Sequence, residues 1–110
     1  GKGQMWNVKT AKKLYEFEQG NEAVHHGTFS PDGSTILTCA SKEPRIVLRK
    51  AADGTPLHEL STPGGRTARQ ADFSPDGTEF AVATRGNEIP IFSATGKPLL
   101  TIPTPTDQYY

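Results

Sequence analysis

Phe29-Ser30-Pro31-Asp32-Gly33 recurs unchanged as Phe73-Ser74-Pro75-Asp76-Gly77. In each copy the phenylalanine ends an apolar, alternating run, the proline presets φ, and Asp-Gly supplies the backbone for a reversal of direction. Each copy therefore reads as a strand followed by a tight turn. The copies lie 44 residues apart, and a fixed period of that size signals stacked supersecondary units rather than one irregular domain.

Working outward, Val24 to Phe29 reads as the strand before the first turn, with Gly27 and Phe29 on one face and His26 and Thr28 on the other. Thr35 to Ala40, rich in β-branched and small apolar residues, reads as the strand after it. Ser41 to Pro44 breaks the pattern, Arg45 to Arg49 resumes it, and Ala52-Asp53-Gly54-Thr55 is a turn. Leu57 to Leu60 then matches Leu14 to Phe17 at an offset of 43 residues. The same order starts again: loop Ser61 to Thr67, strands Ala68 to Phe73 and Phe80 to Thr84, turn Arg85 to Asn87, strand Glu88 to Phe92, turn Ala94 to Lys97, strand Leu99 to Ile102. Ahead of these, Met5 to Val8, a polar turn at Lys9 to Lys12, and Leu14 to Phe17 form a hairpin. The expected units are residues 1–20, 21–60 and 61–102, with a tail at 103–110, and no helix is needed.

Composition agrees. Only 34% of the chain is apolar, and 11 glycines with 9 prolines favour short strands and many turns over a helical bundle. Twelve basic side chains balance twelve acidic ones, so no electrostatic footprint for nucleic acid or an anionic membrane is present. The single Cys39 excludes an internal disulfide, and no Asn-x-Ser/Thr acceptor occurs, which points to a reducing, intracellular, cytoplasmic setting. No apolar run approaches the roughly 18 residues of a membrane span, and none follows the N-terminus as a secretion signal does.

Four antiparallel strands in about 40 to 45 residues is the pattern of a β-propeller blade. Phe-Ser-Pro-Asp-Gly, a small-apolar strand, an Ile/Val strand and a hairpin turning through Asp-Gly-Thr or Thr-Gly-Lys resemble the WD-repeat family of β-propellers over residues 5–102. Trp6-Asn7 is similar to that family's Trp-Asp. Arg49 and Phe92 stand at the positions aligned with Trp6, Asn87 stands where the family has an aspartate, and the family's Gly-His pair is absent. The family's buried Asp-His-Ser-Trp network is therefore not expected here. The fold expected is all-β: two complete four-stranded propeller blades and one partial blade.

Closed propellers need roughly four to eight blades. The expectation is that the 110 residues are a consecutive window of a longer propeller; the alternative is identical chains assembling into a ring, a homo-oligomer.

Candidate chemistry is sparse. Adjacent His25 and His26 point to opposite faces of a regular strand and cannot share one ion, so a metal site is not expected. Cys39, between Thr38 and Ala40 in an apolar strand, reads as a core residue rather than a nucleophile. Asp32-Gly33, Asp76-Gly77, Ser30-Pro31 and Ser74-Pro75 are explained by turn chemistry. No catalytic residue and no cofactor are expected. The loops before each first strand differ most between the units, with Asn21, Glu22 and His25 in one and Arg66, Thr67 and Arg69 in the other, and the resemblance places such loops on the rim that WD-repeat proteins use for partners. Arg66 and Arg69 suit bidentate recognition of carboxylate or phosphate. Tyr109-Tyr110 could anchor in a neighbouring groove but reads more simply as an end of the chain. The function expected is a non-catalytic protein-interaction scaffold, its partners other proteins or further blades; the alternative is part of a propeller enzyme or small-ligand binder with its site at the channel, to which His25, His26 and Arg69 would contribute.

Overall fold

The computed structural model describes residues 2–19, 24–40, 44–86 and 88–103. Its strands run β1 (Lys2–Asn7), β2 (Lys12–Glu18), β3 (Val24–Phe29), β4 (Thr35–Ala40), β5 (Arg45–Lys50), β6 (Pro56–Ser61), β7 (Ala68–Phe73), β8 (Glu79–Thr84), β9 (Glu88–Ser93) and β10 (Pro98–Pro103). All pairings among them are antiparallel. They form a β1-β2 hairpin and two four-stranded meanders, β3-β4-β5-β6 and β7-β8-β9-β10. The first strand differs from the sequence reading: Val8 lies in the turn, almost wholly exposed, and Asn7 Oδ1 accepts from the amides of Lys9 and Thr10. The loop after β6 also contains what the sequence pattern hid, a 3-10 turn at Pro63–Gly65.

The repeated turns are built as their residues dictate. Gly33 and Gly77 have φ of 76° and 75°, the left-handed region where a Cβ is strained. Asp32 Oδ1 accepts from the Ser34 amide and from the Ser30 and Ser34 hydroxyls, and Asp76 makes the same three bonds with Thr78 and Ser74. The Ser34 amide, followed by the two serine hydroxyls, holds the Asp32 carboxyl down to about 2, below its ordinary 3.8; Asp76 is lowered in the same way. Because the folded value lies below the unfolded one, the contribution of Asp32 is complete above about pH 4 and is lost as pH falls through about 2, and that of Asp76 is lost in the same direction, below its ordinary range. The double variant Asp32→Asn/Asp76→Asn is expected to flatten the fall in thermal midpoint across that window. Matching acid limbs in the two proteins would assign the acid sensitivity elsewhere.

The two meanders stack face to face. Leu37, Cys39, Ile46 and Leu48 of the first meet Ala68, Ala71, Phe80, Val82 and Phe92 of the second in one buried cluster. Phe80 anchors it, stacked on Phe92 at 5.4 Å between ring centroids and edge-on to Phe73 at 5.8 Å.

One irregularity shows that the hairpin is a repeat of the outer halves of the meanders. A bulge falls between Met5 and Trp6, between Leu48 and Arg49, and opposite Ile91-Phe92, each time leaving out one leucine of the partner strand: Leu14, Leu57 and Leu99. Trp6, Arg49 and Phe92 are thus structurally equivalent, as the sequence spacing implied. Among the described residues no helix is long and apolar enough to cross a membrane.

Candidate interaction surface

The loops at one end of the meanders are tied to each other by backbone bonds. The Arg85 amide donates to Thr67 O at 3.1 Å, the Thr62 amide to Pro44 O at 3.0 Å, and the Thr62 hydroxyl to Arg66 O. The Ser-Pro-Asp-Gly turns lie at the opposite end, where Ala51 and Ala94 donate to Ser34 O and Thr78 O. Arg66 and Arg69 are exposed and Thr67 half-buried on the first end. Arg85, exposed as well, joins them: the Arg66 side chain lies 3.1–3.2 Å from where a Cβ on Gly86 would stand. The sequence reading treated Arg85 only as the start of a turn. Asn21, Glu22, Asn87, residues 41–43 and Tyr109-Tyr110 lie outside the described residues.

The histidines behave differently from a regular strand. β3 carries a bulge between Val24 and His26, and β7 carries the same bulge between Ala68 and Gln70, so His25 and Arg69 are the equivalent inserted residues. The bulge brings both rings to one neighbour: His25 Nε2 meets Arg69 O at 2.7 Å and His26 Nε2 meets Ala71 O at 3.1 Å. Facing a carbonyl, each Nε2 must carry the proton and donate. The expectation of opposite faces is corrected, and both imidazoles clamp β3 to β7. No group of three His, Cys, Asp or Glu side chains able to hold a metal ion occurs among the described residues. The chain matches no protein-family model and no curated protein.

The sequence offered no sign of the densest polar cluster. Arg49, 3% exposed, donates through Nε to Thr38 Oγ1 at 3.2 Å and through its two terminal nitrogens to Gly54 O at 3.2 Å, Glu18 O at 3.1 Å and Gln19 Oε1 at 3.3 Å. Its guanidinium sits 4.2 Å from the centroid of the Phe17 ring. Buried Gln19 donates to Thr38 O at 3.1 Å and accepts from the Thr38 hydroxyl. Tyr15 completes the attachment by donating to Ala51 O at 2.7 Å. Burial pulls the Arg49 pKa below the ordinary arginine value, and the group remains charged at neutral pH. This cluster joins the hairpin to the first meander, whereas Val82 and Phe92 occupy the equivalent positions between the two meanders. Its geometry is that of a fastener between layers, with each guanidinium nitrogen donating to a neutral internal acceptor.

Cys39 is fully buried, and burial pushes its thiol up to about 12. The thiolate is the reactive form. Native protein is therefore expected to leave an aromatic disulfide reagent unreacted at pH 8, with one thiol per chain appearing when urea is added. Prompt labelling without denaturant would show that the sheets open readily.

Proposed function

We propose that the chain is part of a WD-repeat-like β-propeller acting as a non-catalytic scaffold, and that the end bearing Arg66, Thr67, Arg69 and Arg85 docks an acidic segment of a protein partner. The observation that carries this reading is the set of three exposed arginines, Arg66 and Arg85 on loops tied by the bond from the Arg85 amide to Thr67 O and Arg69 on the bulge of β7. A planar fork on a fixed backbone loses little freedom when it takes a carboxylate bidentately. His25, bonded to the Arg69 carbonyl, holds the bulge on which Arg69 stands. Recognition here is geometric presentation of charge, with no bond made or broken.

The test is fluorescence anisotropy of a labelled Glu/Asp-rich peptide with wild-type protein and with Arg66→Ala/Arg69→Ala, at low and at moderate salt. Saturable binding that weakens at least about tenfold in the double variant, with an unchanged circular dichroism melt, is the expected result. Equal binding by both proteins would remove this rim from consideration.

A further inference from the structure

Consecutive units meet along two outer grooves that occupy the same place in the repeat and differ in chemistry. The first, about 100 Å³, is lined by Glu18, Gln19, Arg45, Val47, Arg49 and Glu59, and Arg45 is ion-paired to Glu59 at 3.0 Å. The second, between the end of β6 and strands β9 and β10, is about 300 Å³ and is lined by Pro63, Pro90, Phe92, Leu99, Leu100 and Thr101. The pairing registers match the two: Val47 faces Glu59 as Pro90 faces Thr101, and Arg45 faces Ser61 as Glu88 faces Pro103. Among the described residues no charged side chain lines the second groove. Both of its walls are strands of the two four-stranded meanders, so the groove is a feature of their packing. The strand beside it also differs from its equivalents. β2, β6 and β10 each form an edge of their sheet. β2 carries Lys12, Lys13, Glu16 and Glu18, and β6 carries His58 and Glu59, polar groups of the kind that keep an edge from pairing with another chain. β10 has none, and its Leu99, Leu100 and Ile102 stand 44%, 56% and 44% exposed.

We propose that the β10 edge and the groove beside it dock a short, extended, uncharged segment of a partner protein, with apolar side chains at alternate positions. The segment pairs its backbone with β10 and sets its apolar side chains over the groove. Pro98 and Pro103 have no amide to offer, so the usable ladder is the four residues 99–102. That length decides against a second copy, because edge-to-edge pairing so short falls far below the roughly 20–30 residues a side of a stable interface. A helix would leave the β10 ladder unpaired. An acidic segment of the kind proposed for the arginine rim is excluded from this groove, since a carboxylate there loses water and gains no partner. The two sites are independent.

The probe is the peptide acetyl-Ser-Leu-Thr-Leu-Thr-Leu-Ser-amide, titrated into the full chain labelled at its leucine and isoleucine methyl groups. Saturable shifts with a midpoint below about 1 mM are expected at Leu99, Leu100, Ile91 and Ile102, with Leu14 and Leu57 stationary and slower amide exchange in β10. Glu88→Arg/Thr101→Glu gives this groove the ion pair of the first and should weaken binding at least about tenfold. Leu100→Asn, at an exposed position, should do the same with an unchanged circular dichroism melt. N-methylating alternate amides along one edge of the peptide should abolish binding, and along its other edge should leave it unchanged. Methyl signals that stay in place at millimolar peptide overturn the proposal, as does equal tolerance of N-methylation on both edges or undiminished binding by the two groove variants. Loss of peptide binding in Arg66→Ala/Arg69→Ala overturns it too by assigning the peptide to the rim, and β10 protection that rises with protein concentration alone does so by making a second copy the occupant.

Discussion

Arg49→Ala is expected to lower the stability of hairpin docking by about 3 kcal/mol, read as roughly hundredfold faster amide exchange in β1 and β2 while β4 and β8 stay protected. The substitution withdraws four donated bonds at once, to Thr38 Oγ1, Gly54 O, Glu18 O and Gln19 Oε1, the last of which keeps the bond from the Thr38 hydroxyl. Each buried unpaired group costs about 1–3 kcal/mol, partly relieved where water enters, and the contact with Phe17 is lost as well. The effect is local because a two-stranded hairpin is marginal alone, so its order depends on Arg49, Gln19 and Tyr15. Arg49→Lys should do little better, since one ammonium cannot span the acceptors that the planar fork reaches and leaves a poorly solvated charge behind. The informative contrast is Thr38→Val/Arg49→Phe, which copies the Val82 and Phe92 pair of the other layer. If packing volume can replace the polar fastener, this double variant loses less than Arg49→Ala; if Gln19 and the backbone carbonyls dominate, it loses more.

That contrast also marks where sequence reading ran out. The strands were legible because their ends carry Gly, Pro, Asp and Asn, whose backbone preferences act locally, and because the second pass repeated the first. The bulges at His25, Arg69, Leu14, Leu57 and Leu99 were not, since one extra residue in a ladder leaves no mark on composition or alternation. His25 and His26 were therefore assigned to opposite faces, and the clamp on β7 went unseen. Arg49 was placed correctly opposite Trp6 in the repeat, yet nothing nearby in sequence announces its burial. Its acceptors at Glu18 and Gln19 lie about thirty residues away, and only the stacking of layers brings them to it. Arg66 and Thr67 were legible as loop residues, whereas Arg69, read with the same loop, stands on the bulge of β7. Arg85 was missed because its place beside them depends on two loops sharing one end of neighbouring strands.

Phe80→Ala is expected to cost about 4 kcal/mol, within the range for truncating a buried aromatic. The ring is 1% exposed and touches aromatic neighbours on two sides, and none of these stiff rings can collapse far into the space left behind. For a domain of this size that loss corresponds to a fall of about 15 °C or more in thermal midpoint. Phe80→Ile places at this position the residue found at its equivalent, Ile36, which is also buried, and should retain most of the stability. The manner of melting carries more than the midpoint. Stacked units couple through nearest-neighbour interfaces, and Phe80 sits at the interface between the meanders while Trp6 sits on the hairpin beyond the first meander. If the Arg49 cluster couples the hairpin to the first meander as firmly as Phe80 couples the meanders, Trp6 emission and far-ultraviolet dichroism will shift together in Phe80→Ala. A dichroism transition that moves down while the Trp6 transition stays in place would show that the polar layer and the apolar layer open independently, with the apolar one first.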